Sequence, residues 1–152
     1  MRELFIEWMY RTVKVPYQWI FKRKEAWNLT LQELLRLPEE SLGFHLGCFL
    51  CQHNFEIQPT LEEHDIYHVL TQTGGTVLDE ITMQFYLLGN GKRSLFLFVV
   101  MGTGVVFYPF QWGHFYQTYR KGKQAHRFFD LNFLPLLPFP IADFRKTFNI
   151  QP

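Results

Sequence analysis

Cysteine is scarce. Two in 152 residues do not make a disulfide-stapled secreted domain, so an intracellular protein of bacterial type is expected. An excess of either charge is missing as well. Fifteen Lys and Arg face fourteen Asp and Glu, a net charge of +1, so no global field draws the chain to nucleic acid. The N-terminus, MRELFIEWMYRTVK, carries Glu3 and Glu7 within its apolar stretch and has no small-residue cleavage site. It reads as neither a secretory signal nor a transit peptide. No apolar run reaches the about 20 residues of a spanning helix. The nearest, SLFLFVVMGTGVVFYPF at 94–110, is uncharged but interrupted by Gly102, Gly104 and Pro109. A buried hairpin or central helix is expected there, ahead of a membrane span. Alternating strand patterns are few, and there is no serine-nucleophile elbow or nucleotide fingerprint. GNGKR at 89–93 lacks the context of a phosphate loop and reads as a turn.

Aromatic carbon, by contrast, is abundant: seventeen Phe, seven Tyr and four Trp, or 18% of the chain. Such side chains suit a broad apolar cavity, a membrane-facing surface or simply a Phe-rich core. The length is that of one domain. Residues 1–28 form an aromatic-basic segment, with Trp8, Tyr10, Tyr17, Trp19, Phe21 and Trp27 among Arg11, Lys14, Lys22, Arg23 and Lys24. That mixture fits an amphipathic helix lying on an anionic membrane, or equally one packed on the domain.

Residues 29–152 carry helix signals throughout. Thr30 with Glu33, and Thr60 with Glu63, have capping-box spacing. Pro38 is placed to open a helix reading PEESLGFHLGCFLCQHNF. Gly74 and Gly75 should end the helix that holds HDIYHVL, and TVLDEITMQFYLLGN should run to Gly89-Asn90-Gly91. A further helix is expected at 111–120, and ADFRKTF forms a short last one after Pro135, Pro138 and Pro140. The expected fold is all-α, a single-domain helical bundle.

HDIYHVLTQTGGTVLDE, residues 64–80, holds the candidate chemistry. On a helix His64 and His68 are one turn apart on one face, with Asp65 flanking them. Glu80 would be out of reach on a straight helix, but the Gly-Gly break lets a second helix fold back and bring it alongside. Two His and a carboxylate leave coordination positions open, which suits catalytic zinc or a non-haem iron site. Asp65 is a further ligand, a base or the partner that fixes a histidine tautomer. The plainer alternative is a pair of hydrogen-bonded core histidines. Cys48 and Cys51 form a CxxC within an apolar helical run, with His53 beyond, and are expected to pack as structural thiols. His45, His114 and His126 show no partner pattern.

The His-Asp-x-x-His, eleven residues, Glu pattern resembles the signature of a coenzyme Q (ubiquinone) biosynthesis family. Its members are described both as scaffolds of the pathway's enzyme complex and as catalysts of oxidative decarboxylation at ring carbon C1. LPEESLG at 37–43, YRKGKQAHRF at 119–128 and FPIADFRKTFNI at 139–150 are similar to other segments of that family. The similarity thus extends over roughly residues 30–150. Asp79 stands where the family usually has Gly, and DLNF at 130–133 departs from its aromatic-acidic pair.

The resemblance implies an all-helical fold with an apolar lipid-binding cavity, peripheral to the cytoplasmic face of a membrane. It carries the ligand and catalytic roles over to His64, Asp65, His68 and Glu80, holding a divalent metal, zinc first and iron second. The implied partners are a polyprenylated hydroxybenzoate and other quinone-biosynthesis proteins; separately from the resemblance, an apolar patch would face either a membrane or a second copy in a homodimer. Phe85, Tyr86, Phe96, Phe98 and Phe107 are the expected cavity lining. A non-catalytic lipid-binding scaffold is the rival function.

Overall fold

Thr30 starts the first helix in the manner its spacing predicts. In the computed structural model, which describes residues 26–57 and 62–152, the Thr30 side chain accepts from the Glu33 amide and the Glu33 carboxylate accepts from the Thr30 amide. This capping box opens α1, Leu31–Leu35. Helix α2, Leu42–His53, begins four residues after Pro38, not at it. Ser41 is extended and takes the Phe44 amide on its hydroxyl, so Ser41 is the cap and residues 38–40 form a turn before it. The reason lies at the other end of the chain. Ser41 pairs with Pro140 in an isolated antiparallel bridge, and the Leu42 and Gly43 amides donate to the Phe139 and Leu137 carbonyls. The Pro-rich C-terminal stretch thereby occupies the backbone that an earlier helix start would have used.

Helix α3, Glu62–Thr71, carries HDIYHVL. It ends before the two glycines, at a left-handed Gln72 (φ 53°), with the Thr73 amide bonded back to the His68 carbonyl. That is a Schellman-type stop with Gln in the position glycine usually takes. Gly74 and Gly75 serve close approach instead: a Cβ at either would press on the Asp79 carboxylate or the His53 ring. Helix α4, Val77–Asn90, closes at Gly91 (φ 109°), whose conformation favours glycine. Helix α5, Leu95–Phe107, is followed by a 3-10 turn at Pro109–Gln111 and by α6, Trp112–Gln124, which outlasts its expected end at 120. A last helix, α7, spans Ile141–Thr147. The architecture among the described residues is all-α, as expected.

Most of the core lies where α2, α3, α4 and α7 meet, around Leu42, Leu46, Leu50, Ile66, Leu70, Met83 and Phe144. A second cluster joins α4, α5 and α6 through Ile81, Phe85, Phe96, Val100 and Phe115. Each such side chain contributes about 1.5–3 kcal/mol on burial. The segment 94–110 is not the buried hairpin or central helix it promised to be. Phe96, Leu97 and Val100 are buried, but Leu95, Phe98, Val99, Val105 and Val106 on the same helix are exposed. Among the described residues only one face of α5 packs on the core. Cys48 and Cys51 are also exposed, because their face of α2 points away from the core, so they do not serve as buried packing thiols. The turn expected at GNGKR is present, with the Arg93 guanidinium on the Leu88 and Lys92 carbonyls. Thr60 and residues 1–25 of the N-terminal segment lie outside the described residues.

Candidate metal centre

The site forms because α3 stops at Gln72 and α4 restarts at Thr76 running back beside it. Thr76 and Asp79 make a reciprocal capping box at that restart. The Asp79 carboxylate is thus engaged at the helix start and adds no ligand to the site. One residue later, Glu80 points into the gap between the helices. Its Oε2 lies 3.0 Å from His64 Nε2 and 3.1 Å from His68 Nε2. The three ligand atoms lie within 4.8 Å of one another.

Each side chain is steadied from behind. Glu80 Oε1 accepts from Gln84 Nε2 at 2.7 Å, so the two carboxylate oxygens have separate duties. His68 Nδ1 lies 3.0 Å from Thr73 Oγ1. The Phe49 ring stacks on the His68 ring at 5.4 Å and 14°. His64 meets Phe96 of α5 edge-on. Further out, Arg145 of α7 donates to the Val69 and Leu70 carbonyls and so holds the last turn of α3. His68 and Glu80 are buried, whereas His64 is only partly so, which leaves an approach on its side. Burial would raise the Glu80 carboxyl, yet the charge and hydrogen bonds of the two histidines hold it well below the usual carboxylate range. Glu80 is therefore an anion at neutral pH, the state a metal ligand needs.

Of the four residues read from the sequence, His64, His68 and Glu80 converge and Asp65 does not. Asp65 is turned about 100° round the helix from His64. It lines a small cavity with Glu62, Trp27, Leu34 and Leu46 on the α1–α2 side. The expected lining aromatics are likewise divided. Phe85 stacks on Phe115, Tyr86 packs by Phe128, Phe96 sits by His64, Phe107 is half-buried and Phe98 is exposed. Thr73, Gln84 and Arg145 escaped the sequence reading. Gln84 had a signal, one helical turn beyond Glu80. Arg145, 75 residues from Leu70, had none.

Two imidazoles and one carboxylate are the donor set of zinc and of non-haem iron sites. Bonds of about 2.0–2.2 Å in a tetrahedral set put ligand atoms roughly 3.3 Å apart, near the two N···O separations observed. Gln84 Oε1 is fully buried beside Glu80 without a hydrogen-bond partner, an orphan acceptor of the kind that marks a functional site. The residues fit a divalent ion.

No family model matches the chain, and no curated protein matches it. Among solved structures it is similar to the crystal structure of a candidate ubiquinone biosynthesis protein from Nostoc punctiforme, with a TM-score of 0.66. The match covers 100% of this chain and 82% of that one at 19% sequence identity. At that identity the likeness is one of fold.

Proposed function

We propose that this chain is a metal-binding protein of ubiquinone or related prenylquinone biosynthesis, acting in the oxidative decarboxylation of a polyprenylated hydroxybenzoate ring. The observation that carries the proposal is the convergence of His64, His68 and Glu80 at the signature spacing. The fold shared with the Nostoc protein supports it. His64, His68 and Glu80 would hold the ion, with zinc first and iron second. A bound divalent ion supplies Lewis acidity toward a ring carboxylate or phenolate. Gln84 keeps Glu80 oriented, Phe49 and Phe96 flank the imidazoles with apolar surface, and the open side at His64 admits the ring. Asp65, facing another cavity, is left without a place in this scheme as a ligand.

The substrate's tail needs an apolar surface, and α5 with the turn after it offers one. Leu95, Phe98, Val106, Phe110, Trp112 and Tyr116 are all more than half exposed, Phe110 almost completely. The outer face of α5 is thus apolar while its inner residue Phe96 touches the site. From Ile81 to Phe129 there is no Asp or Glu, whereas Lys92, Arg93, Arg120, Lys121, Lys123 and Arg127 all lie there. This exposed corner of α5 and the turn after it, on a stretch of sequence without acidic residues, suits peripheral contact with a bilayer, the source of a prenylated lipid. Among the described residues no single helix is long and apolar enough to cross a membrane, and α5 meets the following segment at 106°. A homodimer and docking to other quinone-biosynthesis proteins would use the same corner. The rival reading, a lipid-binding scaffold without catalysis, rests on that corner alone.

The test is turnover. Protein reconstituted with zinc or with iron is supplied, in air, with a prenylated hydroxybenzoate labelled in its carboxyl carbon. The proposal expects labelled carbon dioxide and a hydroxyl in place of the carboxyl, both lost in His64→Ala. Binding of the lipid without turnover for either metal supports the scaffold.

A further inference from the structure

We infer that Thr71 and Thr73 fix the tautomer of His68, so that the Nε2 facing Glu80 is the nitrogen left without a proton and free to hold the ion. The inference deepens the metal reading above and rests on it. Its basis is a count of hydroxyl hydrogens, of which each threonine has one.

Thr71 Oγ1 lies 2.7 Å from the Tyr67 carbonyl, which can only accept, so the Thr71 hydrogen is committed there. Thr71 Oγ1 is also 3.1 Å from Thr73 Oγ1. With its hydrogen spent, Thr71 must accept in that contact and Thr73 must donate. Thr73 Oγ1 then has no hydrogen left for His68 Nδ1, 3.0 Å away, and must accept from it. The ring therefore carries its proton on Nδ1. In the neutral imidazole the other nitrogen is then a lone pair, and Nε2 points it at Glu80 Oε2 from 3.1 Å. In the metal-free protein a proton on Nε2 makes this contact a hydrogen bond to the carboxylate, and it is that proton, not the one on Nδ1, that an ion would displace. The relay thus holds the Nδ1 proton in place and leaves Nε2 as the nitrogen that can exchange a proton for an ion.

The arrangement is local in origin. Thr71 ends α3, Gln72 takes the left-handed turn, and the Schellman-type bond from the Thr73 amide to the His68 carbonyl returns Thr73 over the His68 ring. The stop of the helix and the tautomer of the ligand are one piece of structure. Outer partners that orient a ligating histidine in this way typically matter 10–100-fold in metal affinity.

The test uses the full chain, labelled with ¹⁵N and loaded with zinc. Long-range proton–nitrogen spectra should show His68 protonated at Nδ1 and metal-bound at Nε2. Zinc affinity by chelator competition should fall about 10–100-fold in Thr73→Val. Thr73→Ser should restore it, with the melting temperature of the zinc-free proteins alike. Thr71→Val is the second probe, since it releases the Thr73 hydrogen to donate to Nδ1 and so works against the ligating tautomer. Parent-like affinity in both valine variants, or a proton on Nε2 in the loaded protein, overturns the inference and leaves the metal reading standing. A parent that takes up no zinc overturns both.

Discussion

Tyr86 is buried on α4, and burial pushes its pKa up to about 12, the Gln151 backbone beside its hydroxyl partly offsetting the shift. In the unfolded chain the value is about 10. A raised pKa stabilises the fold fully below the unfolded value, and that contribution is lost as pH rises from 10 through 12. Phenolate absorbance should therefore reveal a late-titrating tyrosine that Tyr86→Phe removes, and the variant should lose less stability over that interval. A parent whose tyrosines all titrate near 10 would contradict this. Among single residues, the sequence made His64, His68 and Glu80 legible because helical spacing and one chain reversal sufficed to bring them together. Asp65 is set apart from them because adjacency in sequence is a 100° turn on a helix. Thr73 and Gln84 were missed because their roles are to the ligands and not to the ion. Arg145 was illegible because its contact spans 75 residues.

Helices α4 and α6 cross with their backbones nearly touching, and two glycines permit it. A Cβ on Gly122 would overlap the Tyr86 carbonyl, and one on Gly89 the Tyr119 carbonyl. Neither obstacle is a flexible side-chain end. Gly122→Ala should cost about 3 kcal/mol as overpacking, read as a lowered denaturant midpoint. Gly102→Ala and Gly113→Ala meet nothing within 4 Å and should be neutral or stabilising by about 0.5–1 kcal/mol. Equal effects at all three would mean that the crossing is not this tight. At this scale the Thr30–Glu33 capping box and the closing glycine were well marked in the sequence, whereas the Thr76–Asp79 box went unread. The start of α2 and the end of α3 were not. The first is set by Ser41 pairing with Pro140, a partner 99 residues away (140 minus 41). The second is set by a left-handed Gln72 that propensity would not favour.

The described part of the molecule is polarised: buried carbon and the His64–His68–Glu80 cluster lie on one side of α5, exposed Leu, Val and Phe on the other. Seventeen uncharged residues in sequence looked like interior, because composition alone cannot tell a covered face from an uncovered one. If this corner meets lipid, the protein should co-sediment with vesicles containing anionic phospholipid and less with neutral ones. Val106→Asp with Phe110→Asp should abolish binding with little change in stability, both side chains being exposed already. Retained binding in that double variant would place the contact elsewhere. Loss of a concentration-dependent dimer in its stead would identify a second copy as the occupant.

If the proposal holds, His64, His68 and Glu80 bind a divalent ion in the purified protein. Elemental analysis of protein purified without chelators, beside His64→Ala and Glu80→Ala, tests it most directly. Near-stoichiometric zinc or iron is expected in the parent, lost from both variants while they remain helical. A folded parent that carries no metal after anaerobic reconstitution, with variants of unchanged stability, would contradict it and reduce the cluster to a hydrogen-bonded trio.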